Sequence, residues 1–407
     1  MVDNPANVAT DFIVRLGSAL VATGAPVDFV EEILEDISNE YGVTVGYSIL
    51  PTGLIVLGHE GTSIVASIAS SQPATLRFDQ TADLFRLVEE VRSGQVDPAA
   101  GSERLDTIDA EKRRAGFLLT VLGHAVLTVG LALLLDPSWR SVGAAALFGL
   151  LVGVMKLVTA PHRTLAKLLP AGVAFAVTLC VLLLRRHGAK LDELQTIIPP
   201  LVTFLPGATL TVGTLELAEG SIVTGSSRFI AGIVQLVLLV LGIVVAVSLV
   251  TVPAANELGE SAPRVGAWAP WLGVALFGLG SAWFYSARAQ AYPALLAVLY
   301  VAFSVQFLTK TPLGGYLSAF LGAAAAVLVA SYIYRHLHGP PFLVTFLPAF
   351  WLLVPGVLSL IGVARLAVGS VAAQDFAAAL LTILAIALGV ITSLGADRSL
   401  MKRFGWW

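Results

Sequence analysis

The rhythm of hydrophobic and polar positions changes once along the chain. Up to residue 114 it is short. Residues 11–24 and 27–41 carry apolar positions at helical spacing, parted by Gly24-Ala25-Pro26. VTVGYSIL, TGLIVLGH and SIVASIAS then alternate as strands do, with ATLRFD as a fourth candidate. A helix over TADLFRLVEEVRSG and a polar linker to Arg114 complete a small α+β domain. Beyond it lie apolar runs of about 20 residues, each able to cross a hydrocarbon core of about 30 Å. Ten are read, over 115–135, 142–160, 165–184, 195–214, 229–252, 267–286, 291–309, 312–334, 342–364 and 373–394. The expected fold is an all-α polytopic membrane domain behind a cytosolic α+β domain. Residues 1–114 form that first domain, and 115–252 and 253–407 form two five-helix halves.

Composition sharpens this division. Hydrophobic residues make up 57% and charged residues 13% of 407 positions, with a mean hydropathy of +0.85. A soluble globular chain carries about 25% charged residues, so a nucleic-acid binder and an ordinary soluble enzyme are excluded. The first 114 residues hold 18 acids and 8 bases, against 9 and 16 in the remainder. The domain is therefore acidic and the membrane loops mildly basic. Six of seven tryptophans (139, 268, 271, 283, 406 and 407) sit at span ends, where amphipathic rings settle. With the α+β domain inside, inner loops carry eleven Lys and Arg and outer loops seven, which sets both termini in the cytoplasm of a multi-pass cell-membrane protein. No basic and apolar leader opens the chain, so no cleaved signal is expected. Cys180 is alone, which leaves no disulfide and no cysteine metal site. No P-loop, zinc-hydrolase or nucleophile-elbow motif is present. The reading is no enzyme, no cofactor and no metal.

The fourth and ninth spans repeat. LVTFLPGATLTVGTLELAEGS (201–221) overlies FWLLVPGVLSLIGVARLAVGS (350–370) at an offset of 149, pairing Pro206 with Pro355 and Gly207 with Gly356. The same offset lays the first span on the sixth and the fifth on the tenth. Five spans per half is odd, so the second half enters the membrane from the opposite side, as inverted-repeat transporters do. Pro-Gly within a span interrupts a helix. Interruptions at matching places in two halves point to a substrate site.

Polar residues gather near the first interruption. Thr203, Thr209, Thr211 and Thr214 offer hydroxyls to a zwitterionic amino acid, the plainer alternative being bonds to their own backbone. Glu216 and Glu219 follow at the inner end, and Arg228 after GSSR; a Glu216–Arg228 pair suits a proton-coupled gate, against an interfacial pair in the headgroup zone. Gln235 faces the same cavity or glues helices. Lys156 reads as snorkelling to the inner face, and His124 as a satisfied buried histidine, with a proton relay as its alternative. Gly315, Ser318, Gly322 and Ala326 form a packing stripe.

The helix–Gly-Ala-Pro–helix start, PTGLIV, PGATLTVGTLELAEGSIVTGSSR and FLPAFWLLVPGVLSLIG together resemble the threonine/serine exporter family. The likeness is to its branch with an LPGxxLTxGxxELAxG signature, which includes fungal pheromone-regulated relatives. The resemblance implies export of threonine and serine driven by the proton-motive force. Pro206, Gly207, Thr211, Glu216, Gly225, Ser226, Arg228, Pro355 and Gly356 match the signature. The alternatives are export of small dicarboxylates such as succinate, or a channel of the same architecture. Partners are then a small-molecule substrate, protons and the lipid bilayer, with no nucleic acid and with homo-oligomerisation left open.

Overall fold

The computed structural model describes residues 5–50, 53–60, 63–70, 76–250, 263–353 and 373–403. They form two compact units, one of residues 1–114 with 212–230, the other of 115–211 with 231–407.

In the first unit, α1 (Pro5–Ala22) and α2 (Val27–Glu40) precede a three-stranded antiparallel sheet. Its strands are β1 (Val45–Leu50), β2 (Gly53–Glu60) and β3 (Ser63–Ser70), with Tyr47 opposite Val56 and Ile55 opposite Ile68. Helices α3 (Phe78–Arg92) and α4 (Pro98–Ala110) follow. Phe12, Leu16 and Leu20 of α1, Val30, Ile33 and Ile37 of α2, Leu54 and Val56 of β2, and Leu84, Leu87 and Val91 of α3 are buried. Removing such side chains from water is the main stabilising term. Two expectations change. Leu76 and Arg77 of ATLRFD are coil, with Leu76 N–H bonded to Ala22 O at 3.3 Å, and α3 begins at Phe78. The polar linker contains α4, started by Asp97, whose carboxylate accepts the Ala99 and Ala100 N–H groups at 3.0 Å. Pro98 at the first helical position fits the same start.

The unit also takes in the end of α9 (Gly207–Glu219) and the beginning of α10 (Ile222–Leu249). Gly220, at φ 99°, stops α9, with Ser221 N–H bonded to Glu216 O at 2.8 Å. Gly213 and Gly225 let the two helices touch. A Cβ on Gly213 would lie 2.9 Å from Gly225 O, and one on Gly225 2.7 Å from Leu217 N. The fifth apolar run therefore begins its helix seven residues earlier than its hydropathy suggests, at Ile222.

The second unit is helical. It holds α5 (Phe117–Leu134), α6 (Trp139–Thr159), α7 (Arg163–Arg186), α8 (Glu193–Ile197), a 3-10 turn over Pro199–Phe204, and the remainder of α9 and α10. Then come α11 (Ala269–Phe284), a short 3-10 turn over Ala289–Ala291, α12 (Tyr292–His336), α13 (Phe342–Leu352) and α14 (Ala373–Arg403). Six helices among the described residues are long and apolar enough to cross a membrane, and α11 and α13 are shorter apolar helices. The seventh and eighth runs are joined in α12, which breaks its dihedrals at Gly314 (φ 81°), two residues after Pro312. Pro355 and Gly356 lie outside the described residues.

Helices α5 and α11 make the closest approach in this unit. Gly123 and Gly130 of α5 meet Gly280 and Gly273 of α11 in antiparallel order. A Cβ on Gly280 would lie 2.8 Å from Gly123 O, and one on Gly273 2.9 Å from Gly130 O. Each helix ends two residues before a non-glycine position with positive φ, Asp136 at 52° and Ser286 at 58°. The α7–α8 loop is fastened by Asp192, which accepts from Ser138 N–H (2.7 Å) and Ser141 Oγ (3.0 Å) and pairs with Arg264 (3.4 Å). Burial alone would raise its pKa, yet these donors and the Arg264 cation hold it below the ordinary carboxylate value.

A leucine at Gly130 or Gly280 would drive side-chain atoms into the partner's backbone, an overpacking of at least about 1–3 kcal/mol. Gly130→Leu and Gly280→Leu should lower the melting temperature in detergent and broaden size-exclusion profiles. Gly143→Leu, with nothing within 4 Å of its Cβ position, should leave both unchanged.

Candidate functional site

The fourth apolar run is interrupted where its sequence carries Pro206. The 3-10 turn ends at Phe204, Leu205 is extended (φ −69°, ψ 124°), and α9 begins at Gly207. Proline has no N–H and pushes the preceding residue out of the helical region, which explains the conformation of Leu205. The interruption frees carbonyls, and a freed carbonyl at membrane depth costs several kcal/mol unless a donor reaches it.

Two donors come from other helices. Lys156 of α6 donates to Thr203 O at 3.4 Å, and Gln235 of α10 donates to Phe204 O at 3.2 Å. The Lys156 ammonium also lies 4.6 Å from the ring centre of Phe204 and 5.2 Å from that of Phe284, within cation–π range. Lys156 therefore points to the interruption rather than snorkelling to the inner face. His124 of α5 is fully buried between two partners. Its Nδ1 lies 2.8 Å from Gly149 O, which accepts only, so Nδ1 carries a proton. Its Nε2 lies 3.1 Å from the Thr203 hydroxyl. His124 is the satisfied buried histidine its sequence context suggests, and its partner is a residue of the interrupted segment.

The threonines divide. Thr203 joins the cluster through both its hydroxyl and its carbonyl. Thr211 is buried and donates to Gly207 O at 3.1 Å, one turn back on its own helix. Thr209 is half-buried and Thr214 buried. The sequence carried a signal for Lys156 and Gln235, since polar side chains inside apolar runs need internal partners. Which carbonyls they meet depends on helix packing.

The second cluster lies in the first unit. Glu216 is fully buried, and its Oε1 accepts Val27 N–H at 3.1 Å. Val27 opens α2, so the carboxylate stands at a helix N-terminus where a negative charge is stabilised. Arg228 Nε lies 3.2 Å from the same oxygen, close enough for an ion pair, but its N–H is not aimed there. The guanidinium instead donates to Ala25 O (3.0 Å) and Gly24 O (3.4 Å). Ser221 donates to Asp28 at 2.9 Å and Thr224 to Ile49 O at 3.3 Å. Glu216 Oε2 is buried with no hydrogen bond. The pair thus holds the Gly24-Ala25-Pro26-Val27 corner of the α+β domain. Glu219 is exposed, and Gln235 bonds at the interruption rather than with Glu216. Among the described residues no cluster of three or more His, Cys, Asp or Glu could hold a metal.

These features define a multi-pass helical membrane protein whose fourth apolar segment is interrupted and lined by polar side chains. The chain belongs to the threonine/serine exporter family: the family's sequence model, ThrE, described as "putative threonine/serine exporter", matches residues 11–250. Over 224 residues it is 25% identical to the "probable threonine/serine exporter" of Mycobacterium tuberculosis, covering 54% of this chain and 42% of that protein. Over 229 residues it is 22% identical to the "threonine/serine exporter" of Corynebacterium glutamicum, covering 53% of this chain and 46% of that protein. The alignments thus span less than half the length of these curated relatives. No solved structure matches the chain. Both relatives carry transporter names, in keeping with a chain that is not an enzyme.

Removing one member of a buried ion pair costs about 3–5 kcal/mol because a charge is left uncompensated. Arg228→Met should therefore destabilise the protein more than the double substitution Arg228→Met with Glu216→Gln, measured by thermal unfolding in detergent. Equal losses from single and double variants would show that the pair carries no such coupling. Gln235→Leu leaves Phe204 O without its donor and should cost about 1–3 kcal/mol by the same assay.

Proposed function

We propose that the protein is a secondary transporter that exports small polar amino acids, threonine and serine, coupled to the proton-motive force. The observation that carries this reading is the interruption at Leu205-Pro206, whose carbonyls are met by Lys156 and Gln235 with His124 on Thr203. Such a place at membrane depth supplies donors, acceptors and a cation to a small zwitterion. The substrate-binding set is Thr203, Pro206, Gly207, Thr209 and Thr211, with Pro355 and Gly356 at the matching place in the second half. The proton-coupling or gating set is Glu216, Glu219, Arg228 and Gln235. Two relatives named as threonine/serine exporters support the choice of substrate.

The ten-span, inverted-repeat architecture belongs to the same proposal. At an offset of 150, Gly123 falls on Gly273, Gly130 on Gly280, and the left-handed Asp136 on Ser286. An antiparallel pair in which each glycine meets the counterpart of the other is what a two-fold axis in the membrane plane would produce. At 149, α8 falls on the start of α13, and Pro206-Gly207 on Pro355-Gly356. With five spans in each half and the α+β domain inside, both termini are cytoplasmic.

A second reading, export of dicarboxylates such as succinate, is compatible with the Lys156 ammonium at the interruption, which would bind a carboxylate from either class.

The test is flux in proteoliposomes of the full chain, with labelled threonine and serine, an imposed pH gradient and succinate as competitor. Saturable amino-acid flux that collapses with the gradient is expected. Flux of succinate alone would select the second reading, and gradient-independent, unsaturable flux would replace both with a channel. Pro206→Ala combined with Gly207→Leu should restore a continuous helix and reduce flux at least tenfold, whereas wild-type flux would reduce the interruption to a packing feature.

A further inference from the structure

The Glu216 cluster has an arrangement that proton-coupled transport alone does not require. Its carboxylate is fully buried. One oxygen meets Val27 N–H, while Oε2 has no hydrogen bond. Arg228, its counter-charge, aims its N–H groups at the backbone carbonyls of Gly24 and Ala25. Ionised, Glu216 has lost water around an oxygen to which the protein returns nothing, and a buried charge so treated is costly. Neutral, it keeps Oε1 as acceptor for Val27, and Arg228 keeps its two carbonyls. When the corner lifts away, water reaches the carboxylate and the ionised form recovers its solvation. The seated corner and the proton at Glu216 therefore favour each other.

We infer that Glu216 is a proton-binding site coupled to the seating of the Gly24–Val27 corner on the segment 212–230, so that acidification on the side of the α+β domain tightens this contact. This deepens the proton role proposed for Glu216 and is independent of which substrate is carried.

The charged groups facing Glu216 are few. Arg228 comes from α10, and Asp28 from α2 is occupied by the Ser221 hydroxyl. The Gly24–Pro26 corner contributes only backbone. Burial raises the Glu216 carboxyl from 4.5 to about 6; Arg228 and the Val27 N–H oppose the rise, and Asp28 adds to it. A carboxyl whose pKa is higher when seated than when free stabilises the seated form fully below pH 4.5, and that contribution is lost as pH rises through about 6. The difference corresponds to at most about a 30-fold change in the seating equilibrium.

The test is hydrogen–deuterium exchange of the full chain in lipid nanodiscs from pH 5 to 8, corrected for intrinsic exchange and read at residues 24–30. Between pH 8 and pH 5 wild-type protection should rise by about eightfold, with a midpoint below pH 6. Glu216→Gln should be flat and protected at the wild-type acid level throughout. Asp28→Asn, which leaves Glu216 in place, should keep the dependence with its midpoint moved to lower pH. Wild-type protection that is constant or falls on acidification would overturn the inference. So would an unchanged pH dependence in Glu216→Gln, or an unmoved midpoint in Asp28→Asn should the first variant fail to fold. Absence of threonine or serine flux would defeat the transport reading alone, because exchange at the corner is read without substrate.

Discussion

A carbonyl freed inside a bilayer must find a donor in the protein, because no water is there to supply one. In the proposed topology that constraint organises the second unit around Pro206. Proline ends one helical segment at Phe204 and lets another begin at Gly207, and the carbonyls of Thr203 and Phe204 are left to other helices. Lys156 and Gln235 reach them from α6 and α10. Two polar side chains that would be costly anywhere else in an apolar helix are stabilised there by need. An irregular backbone that is held in place, rather than melted, is a precondition for a binding site at depth.

The glycine seam between α5 and α11 supplies the rigidity this arrangement requires. Backbone meets backbone at Gly123, Gly130, Gly273 and Gly280, with no side chains to slide. Association of helices in lipid depends on such close packing, since apolar side chains gain nothing by leaving lipid for each other. His124 sits one residue beyond Gly123 on α5 and bonds both Gly149 O and Thr203, linking the seam to the interrupted segment. The lipid-directed faces follow from the remainder, with Val234, Val237, Leu241 and Leu249 of α10 exposed.

Much of this is written in local pattern. Apolar runs of membrane length, the interruption at Pro206-Gly207 and the α1–α2 corner at Gly24-Ala25-Pro26 follow from residues close in sequence, so they are legible there. Family membership is legible for the same reason, because its signature lies within one continuous stretch. What escaped depends on distant partners or on caps. Helix α4 was hidden by its polarity, although Asp97-Pro98 marks its start. Lys156 looked like a snorkelling residue because its carbonyl partner lies 47 positions away. Glu216 was visible as an odd carboxylate, but its hold on Val27 spans 189 positions, and no periodicity encodes it. The glycines of the signature proved structural: Gly213 and Gly225 join two helices, and Gly220 stops one.

The proposed two-fold relation requires the two halves to be inserted in opposite senses, so that counterpart positions face opposite sides of the membrane. Arg140 and Gln290 are exposed counterparts at the starts of the second and seventh apolar runs, 150 residues apart. In a Cys180→Ser background, single cysteines at these positions would be labelled on intact cells with a membrane-impermeant maleimide. Opposite insertion predicts that Arg140→Cys reacts on intact cells and Gln290→Cys only after permeabilisation. Labelling of both from the same side would contradict it.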